Sequence, residues 1–338
     1  MIYFFFNNMI DFNFIAPALI FAQEKSHWKN KIKLLFFFED LYKPEKKIYF
    51  KKLKKNILSF EFVKAFDHIE PNTLKELKST LKKIDGVLLS STASIFRLVY
   101  QKQILKRKKI FKNNLRLVAF SNNEFFEEII NILDLIILSG PYDNVNFPEK
   151  ITRYGLPYWD AFRANFVDLS SMSPVIFNKD SYRVIIPETV IDGDLWYQYI
   201  EKYFTDNYSQ NTEYFIKARL KTEINTKKFD TFFSNYKKYS NIHYIYDPFF
   251  YTTVHLFRNS HEVIFCFPNS NIIRECICCN LKATYLYTDK EYKDSTRPLR
   301  LKSAYKDYIH NPKLALKNNI TLHANNSKYI FEQIQKLI

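Results

Sequence analysis

Apolar runs of four to six residues alternate along the chain with amphipathic stretches of ten or more, the rhythm of βα units. Ile2–Phe6 predicts a buried strand, Asn7-Asn8 a polar turn, and the apolar positions from Phe14 to Phe21 a helix. Asn7, Asn8, Asp11, Asn13 and Pro17 interrupt this first stretch, and no basic residues precede it. It therefore reads as the opening unit of a parallel sheet rather than a leader or a membrane span. Lys33–Phe38, Gly86–Leu89, Leu115–Phe120 and Leu135–Leu138 continue as strands. Asn72–Lys83, Ile95–Leu105 and Glu124–Leu133 read as helices between them. A polar elbow, Ser90-Ser91-Thr92, follows one strand directly.

The rhythm breaks between Gly140 and Phe166, where three prolines and two of the chain's four glycines gather. Breakers concentrated in this way predict a domain junction. Beyond it Arg183–Ile186, Glu213–Ile216, Ile242–Tyr246, Val263–Phe267 and Lys282–Leu286 read as strands. Leu195–Thr205, Phe229–Tyr239, Thr252–Arg258 and Ile272–Cys279 read as helices, the last closed by Asn280 in the left-handed position. The expected fold is α/β, two Rossmann-like doubly wound domains facing a central cleft. Residues 1–165 form one domain and residues 166–338 the other. Ligands of such sheets bind at the carboxyl ends of the strands.

With 338 residues, 47% of them hydrophobic, the chain has ample core for two domains. The net charge of +15 points to anionic partners: nucleic acid, a phospholipid surface or a phosphorylated substrate. Residues 1–165 hold 27 basic and 17 acidic side chains, so most of the excess lies there. Lys43–Lys55 and Lys102–Lys112 are lysine-rich and would suit an anionic lipid surface, although a solvated face is the default for such runs. No zinc-finger or RNA-recognition signature accompanies the charge, so a nucleic acid partner is not expected. No Gly-rich phosphate loop is present, which sets aside P-loop and dinucleotide enzymes. Cys266, Cys276, Cys278 and Cys279 fall on one strand and one helix, and buried reduced thiols are the simplest reading.

Several segments of the second half, in order, resemble the glycosyltransferase B fold. More narrowly they resemble the bacterial surface-polysaccharide and CDP-glycerol glycerophosphotransferase-like group. The junction Ile151–Asp160 carries Gly155, Pro157 and Asp160 in the positions of that group's junction segment. Ile186-Pro187-Glu188-Thr189 ends a strand, and Ile216-Lys217-Ala218-Arg219 resembles a Lys-Pro-Arg strand end with alanine for proline. Ser270 through Glu275 resembles a Ser-Ser-x-x-x-Glu elbow. The group's usual His-Gly pair is absent from this chain. The resemblance implies a glycosyltransferase that moves a sugar from a nucleotide-activated donor to a polysaccharide or lipid-linked acceptor. Neither a cofactor nor a metal is implied. It would work in the cytoplasm, with peripheral docking at the inner membrane face as an option.

In that reading residues 1–165 form the acceptor side, where the Ser90–Thr92 elbow could bind the acceptor, and residues 166–338 the donor side. Lys217, Arg219, Ser270, Asn271 and the adjoining backbone N–H groups hold the donor diphosphate, Thr189 is a further donor-side residue at a strand end, Glu275 accepts from ribose or sugar hydroxyls, and Tyr246, Asp247 and Pro248 lie beside the base. Asp11 is the leading candidate for the base that takes the acceptor's proton, with His68 second. A helix-capping aspartate and a surface histidine are the ordinary alternatives. Asp192-Gly193-Asp194 has metal-binding spacing but lies outside its usual fold context. A CDP-glycerol-type polyol-phosphate transferase, a nucleotide-sugar epimerase and a non-enzymatic nucleic-acid-binding protein are the competing functions.

Overall fold

The computed structural model describes residues 1–38, 47–101, 115–121, 127–138, 148–153, 157–163, 166–178, 180–188, 195–218, 223–247, 249–265, 272–286 and 326–338. The chain divides into two compact units, Met1–Asp160 with Thr321–Ile338, and Ala161–Ile320.

The first unit opens with β1 (Ile2–Phe6), α1 (Met9–Glu24), α2 (Ser26–Lys29) and β2 (Ile32–Phe36). It continues with α3 (Lys47–Ser59), α4 (Glu61–Lys64), β3 (Asp67–Ile69), α5 (Leu74–Lys83) and β4 (Gly86–Ser91). Then come α6 (Thr92–Phe96), which runs into a π-helical turn at Arg97–Gln101, β5 (Leu115–Ser121) and a 3-10 turn at Glu127–Ile132. The part ends with β6 (Leu135–Leu138), β7 (Ile151–Arg153) and α7 (Pro157–Asp160). The strands form one parallel sheet in the order β3-β2-β1-β4-β5-β6-β7. All five residues of β1 are buried, as expected for an interior parallel strand covered on both faces. On one face Leu77, Leu81, Ile95, Ile129 and Ile130 pack in a common cluster. Elsewhere in the unit Phe12 stacks with Phe60 and Phe62. Gly86 opens β4 at φ +122°, and a Cβ there would stand 2.1 Å from the Met1 carbonyl oxygen.

The second unit contains β8 (Tyr182–Pro187), α8 (Leu195–Asn207), β9 (Thr212–Lys217), α9 (Glu223–Ser234) and β10 (Ile242–Ile245). It is completed by α10 (Phe250–Asn259), β11 (Glu262–Phe265), α11 (Ile272–Cys279) and β12 (Lys282–Tyr285). Its sheet is parallel, in the order β10-β9-β8-β11-β12. Asn280 ends α11 at φ +53°, as its sequence position predicts.

The chain then returns to the first unit with α12 (Asn326–Gln335). Phe331 stacks on Trp28 at 4.8 Å and on Phe21 at 6.1 Å, and meets Phe4 edge-on at 6.0 Å. Asp160 fixes the start of this helix by accepting from the Ser327 backbone N–H at 2.7 Å and its hydroxyl at 2.6 Å. A division at residue 165 places this helix with the second half. Its aromatic face instead completes the core of the first.

Other elements also differ from expectation. The lysine-rich stretch from Lys47 is a helix, because Phe50, Leu53 and Ile57 recur at helical spacing among the lysines. His68 lies in the edge strand β3, paired with β2, and is a surface histidine. β7 arises inside the breaker-rich junction. The helix expected at Phe229–Tyr239 sits at Glu223–Ser234. Tyr236 keeps the apolar period going past its end by packing on Phe233 at 5.8 Å. Residues 102–114 and 122–126, into which two of the expected helices extend, lie outside the described residues.

Phe331→Ala should destabilise the first unit by about 3–5 kcal/mol, since it empties a fully buried aromatic position. Urea unfolding followed by tryptophan fluorescence, with Trp28 beside the site, would measure it.

Candidate functional site

In the second unit the polar groups collect where the strands end. Lys217 is the last residue of β9, and its carbonyl accepts from the Glu188 N–H at 2.9 Å, just beyond β8. Tyr246 and Asp247 follow β10, and Glu275 sits in the first turn of α11. Burial pushes the Lys217 ammonium below its ordinary pKa, while the charges of Glu275 and Asp247 pull it back up. All three side chains are thus electrostatically coupled at one edge of one sheet. Glu275 is buried, at 4% exposure.

Asp247 also has a local structural task. Its Oδ1 accepts from the Phe249 N–H at 2.9 Å and its Oδ2 from the Thr252 hydroxyl at 2.7 Å, anchoring the start of α10. Tyr246 donates a short hydrogen bond to Asp230 of α9; burial first, and that carboxylate second, raise its phenol pKa. Burial likewise lifts the Cys276 thiol far above its usual value and that of Cys279 to about 12, so neither is a thiolate at neutral pH. Thr189, Asp192, Asp194, Arg219, Pro248, Ser270 and Asn271 lie outside the described residues, as does Gly155. Pro157 is buried at the first position of α7, a favoured place for proline.

The first unit has its own polar end. Its strand order reverses between β1 and β4, and there Asn7, Asn8 and Asp11 meet Ser90, Ser91 and Ser94. Asn8 caps α1 by accepting from the Asp11 N–H at 3.0 Å, and its amide donates to Ser94 Oγ at 3.1 Å. Asp11 is therefore not a loop residue. It stands in the first turn of α1, fully buried, its Oδ2 accepting from the Asn7 N–H at 3.0 Å and the Ser94 hydroxyl at 2.6 Å. Burial raises its pKa, and bonds from Ser91, Ser94 and Asn7 and the charge of Arg97 oppose that rise. The hydroxyls of the Ser90–Thr92 elbow are turned inward: Ser90 donates to the Phe5 carbonyl at 2.9 Å, and Ser91 Oγ caps α6 by accepting from the Ser94 N–H at 3.1 Å. His68 is exposed on β3 and pairs with Glu70 at 3.1 Å.

A shallow cavity of about 300 Å³ lies by the last turns of α10, away from the end that Asp247 anchors, lined by Asp168, Ser170, His255, Arg258 and Asn259 among others. Among the described residues no group of three metal-ligating side chains is gathered, and no helix is long and apolar enough to cross a membrane.

No family model matches the chain, and no curated protein matches it. Solved structures do. The UDP-GlcNAc 2-epimerase from Neisseria meningitidis bound to UDP-GlcNAc is 14% identical, with 99% of each chain covered and a TM-score of 0.54. The UDP-GlcNAc 2-epimerase of Methanocaldococcus jannaschii, in complex with UDP-GlcNAc and UDP, is 14% identical with the same coverage and a TM-score of 0.55. A glycosyltransferase from Rickettsia africae is 12% identical over 99% of this chain and 98% of its own, with a TM-score of 0.50. At such identities the likeness is one of fold: two Rossmann-like parallel-sheet α/β domains, as in the glycosyltransferase B fold.

Because its native pKa is raised, Asp11 favours the folded state most below the ordinary carboxylate pKa, and that contribution fades as pH rises through the elevated value. The difference in melting temperature between wild type and Asp11→Asn should therefore shift in favour of the variant between pH 4 and pH 8. Thermal melts across that range would check it.

Proposed function

We propose that this chain is a nucleotide-sugar enzyme that binds a UDP-sugar at the carboxyl ends of β9 and β10 in its second unit. The observation that carries this reading is Lys217, a cation planted at a strand end within the fields of Asp247 and Glu275. An ammonium partly withdrawn from water attracts a diphosphate more strongly than one in bulk solvent, and an arriving negative charge pulls its pKa back up. Glu275 then offers a carboxylate to sugar or ribose hydroxyls. Arg219, Ser270 and Asn271 remain proposed partners on the basis of their sequence positions. The UDP ligands of the two epimerases with the same fold support uridine as the nucleotide.

Two reactions share this ligand. Inversion at a carbon of the bound sugar is the one we favour, because two of the solved structures of like fold and near-complete coverage are UDP-GlcNAc 2-epimerases. Transfer of the sugar to a glycan acceptor, the reaction the sequence resemblance implies, is the second. It has the support of the Rickettsia glycosyltransferase. Transfer needs a base for the acceptor hydroxyl, and we favour Asp11, in the first turn of the helix that follows β1, over His68 on the edge strand β3. Neither reaction calls on a metal in this proposal. Docking on an anionic membrane surface through α3 remains a proposal resting on its lysines alone.

The test is incubation with UDP-GlcNAc, followed by proton and phosphorus NMR. A second UDP-hexosamine without free UDP marks epimerisation; UDP release on addition of an acceptor marks transfer. Lys217→Ala should weaken UDP binding, read by thermal shift, about tenfold or more. A wild-type protein stabilised by neither UDP nor UDP-sugars would overturn the proposal. Stabilisation by CDP-glycerol in their place would redirect it to polyol-phosphate transfer.

A further inference from the structure

The cavity beside the last turns of α10 lies within the second unit, and nucleotide binding at the strand ends makes no use of it. At about 300 Å³ it stands at the lower end of the range for small-molecule pockets, so its occupant is smaller than a nucleotide-sugar. Two elements wall it: α10, and the segment that leads into the 3-10 turn Ser170–Met172. Leu169 and Val254 are its buried apolar lining. Asp168 is exposed, and Arg258 and Asn259 are only partly buried, so the polar lining is open to a ligand arriving from solvent.

The lining carries one charge of each sign. Asp168 accepts from the Ser170 N–H at 2.9 Å and from its hydroxyl at 2.8 Å. Those bonds first, and the charges of Arg258 and His255 after them, hold its carboxyl below the usual range, so it is ionised at neutral pH. His255 is not a second cation. Burial lowers its pKa, its Nδ1 lies 3.4 Å from the Asn259 amide nitrogen, and Phe177 packs against its ring at 4.8 Å. Arg258 is therefore the cation of this lining. Its Nη1 donates to the Val167 carbonyl at 3.4 Å, whereas the hydrogen bonds of Asp168 go to Ser170. Opposite charges thus line one cavity from two different elements.

We infer that this cavity binds a small zwitterion, a free α-amino acid, with Arg258 holding its carboxylate and Asp168 its ammonium. Size and charge select the class together. A phosphate or simple carboxylate drawn to Arg258 also meets Asp168, and a simple cation drawn to Asp168 also meets Arg258. An α-amino acid carries both charges on one carbon and answers both groups at once. The planar guanidinium suits its carboxylate, which it can take through two parallel N–H bonds. Leu169 and Val254 favour a short apolar or neutral side chain over a charged one. The site stands at the end of α10 remote from Asp247 and does not depend on nucleotide binding.

Saturation-transfer NMR on the full chain, without nucleotide, would test this using glycine, alanine, serine and valine. At least one should bind. Its N-acetyl and methyl ester forms, each with one charge removed, should bind about tenfold more weakly or worse. Arg258→Gln and Asp168→Asn should each weaken binding of the free amino acid about tenfold. Asp168 is exposed, so its variant decides the matter should Arg258→Gln fail to fold by thermal melting. Wild-type protein that binds none of these amino acids would overturn the inference. So would blocked forms that bind as well as the free amino acid, and so would folded variants that bind as well as wild type. The UDP response should be unchanged in both variants, and amino acid binding unchanged in Lys217→Ala, so each reading can fail without the other.

Discussion

A parallel sheet covered on both faces leaves polar chemistry almost nowhere to stand except at the ends of its strands. β1 illustrates the constraint: its five residues are all buried, and the first polar side chains appear only at Asn7 and Asn8. β9 does the same in the second unit, where buried Tyr214, Phe215 and Ile216 give way to Lys217. The site residues are where they are because the sheet has excluded them from everywhere else. The same exclusion from water sets their electrostatics. It raises Asp11 and lowers Lys217, pushing an acid and a base alike towards their neutral forms. Groups held in that condition respond strongly to an incoming ligand that restores a favourable environment for charge.

The two strand ends are prepared differently. In the second unit a lysine at a strand end stands in the fields of two carboxylates. In the first unit, hydroxyls and amides are largely spent on each other.

The C-terminal helix shows how a junction residue can carry architecture. Asp160, singled out by its place in a junction motif, is buried and holds the first turn of α12 through Ser327. Phe331 then closes an aromatic group with Trp28, Phe21 and Phe4. Its sequence position, directly after the second unit, gives no sign of that partnership, because its aromatic partners lie about three hundred residues earlier in the chain.

Much of the fold was legible from the chain alone, since strands buried on both faces are written as continuous apolar runs: Ile2–Phe6, Leu115–Phe120 and Leu135–Leu138 all reappear nearly unchanged. Local turn chemistry was legible too, in the polar turn at Asn7-Asn8 and in Asn280 with its positive φ. Lys217, Asp247 and Glu275 could be grouped from their positions at successive strand and helix ends, because topology brings such ends to one edge. What only tertiary structure decided was which polar atoms were already spent. The serines of the Ser90–Thr92 elbow read as binding groups in sequence but turn inward, to the Phe5 carbonyl and to a neighbouring helix. Arg97 carried no motif at all, and only the structure shows that one of its nitrogens is buried and that its charge acts on Asp11. Hydrogen-bond satisfaction depends on partners some eighty residues apart, and no local pattern records it.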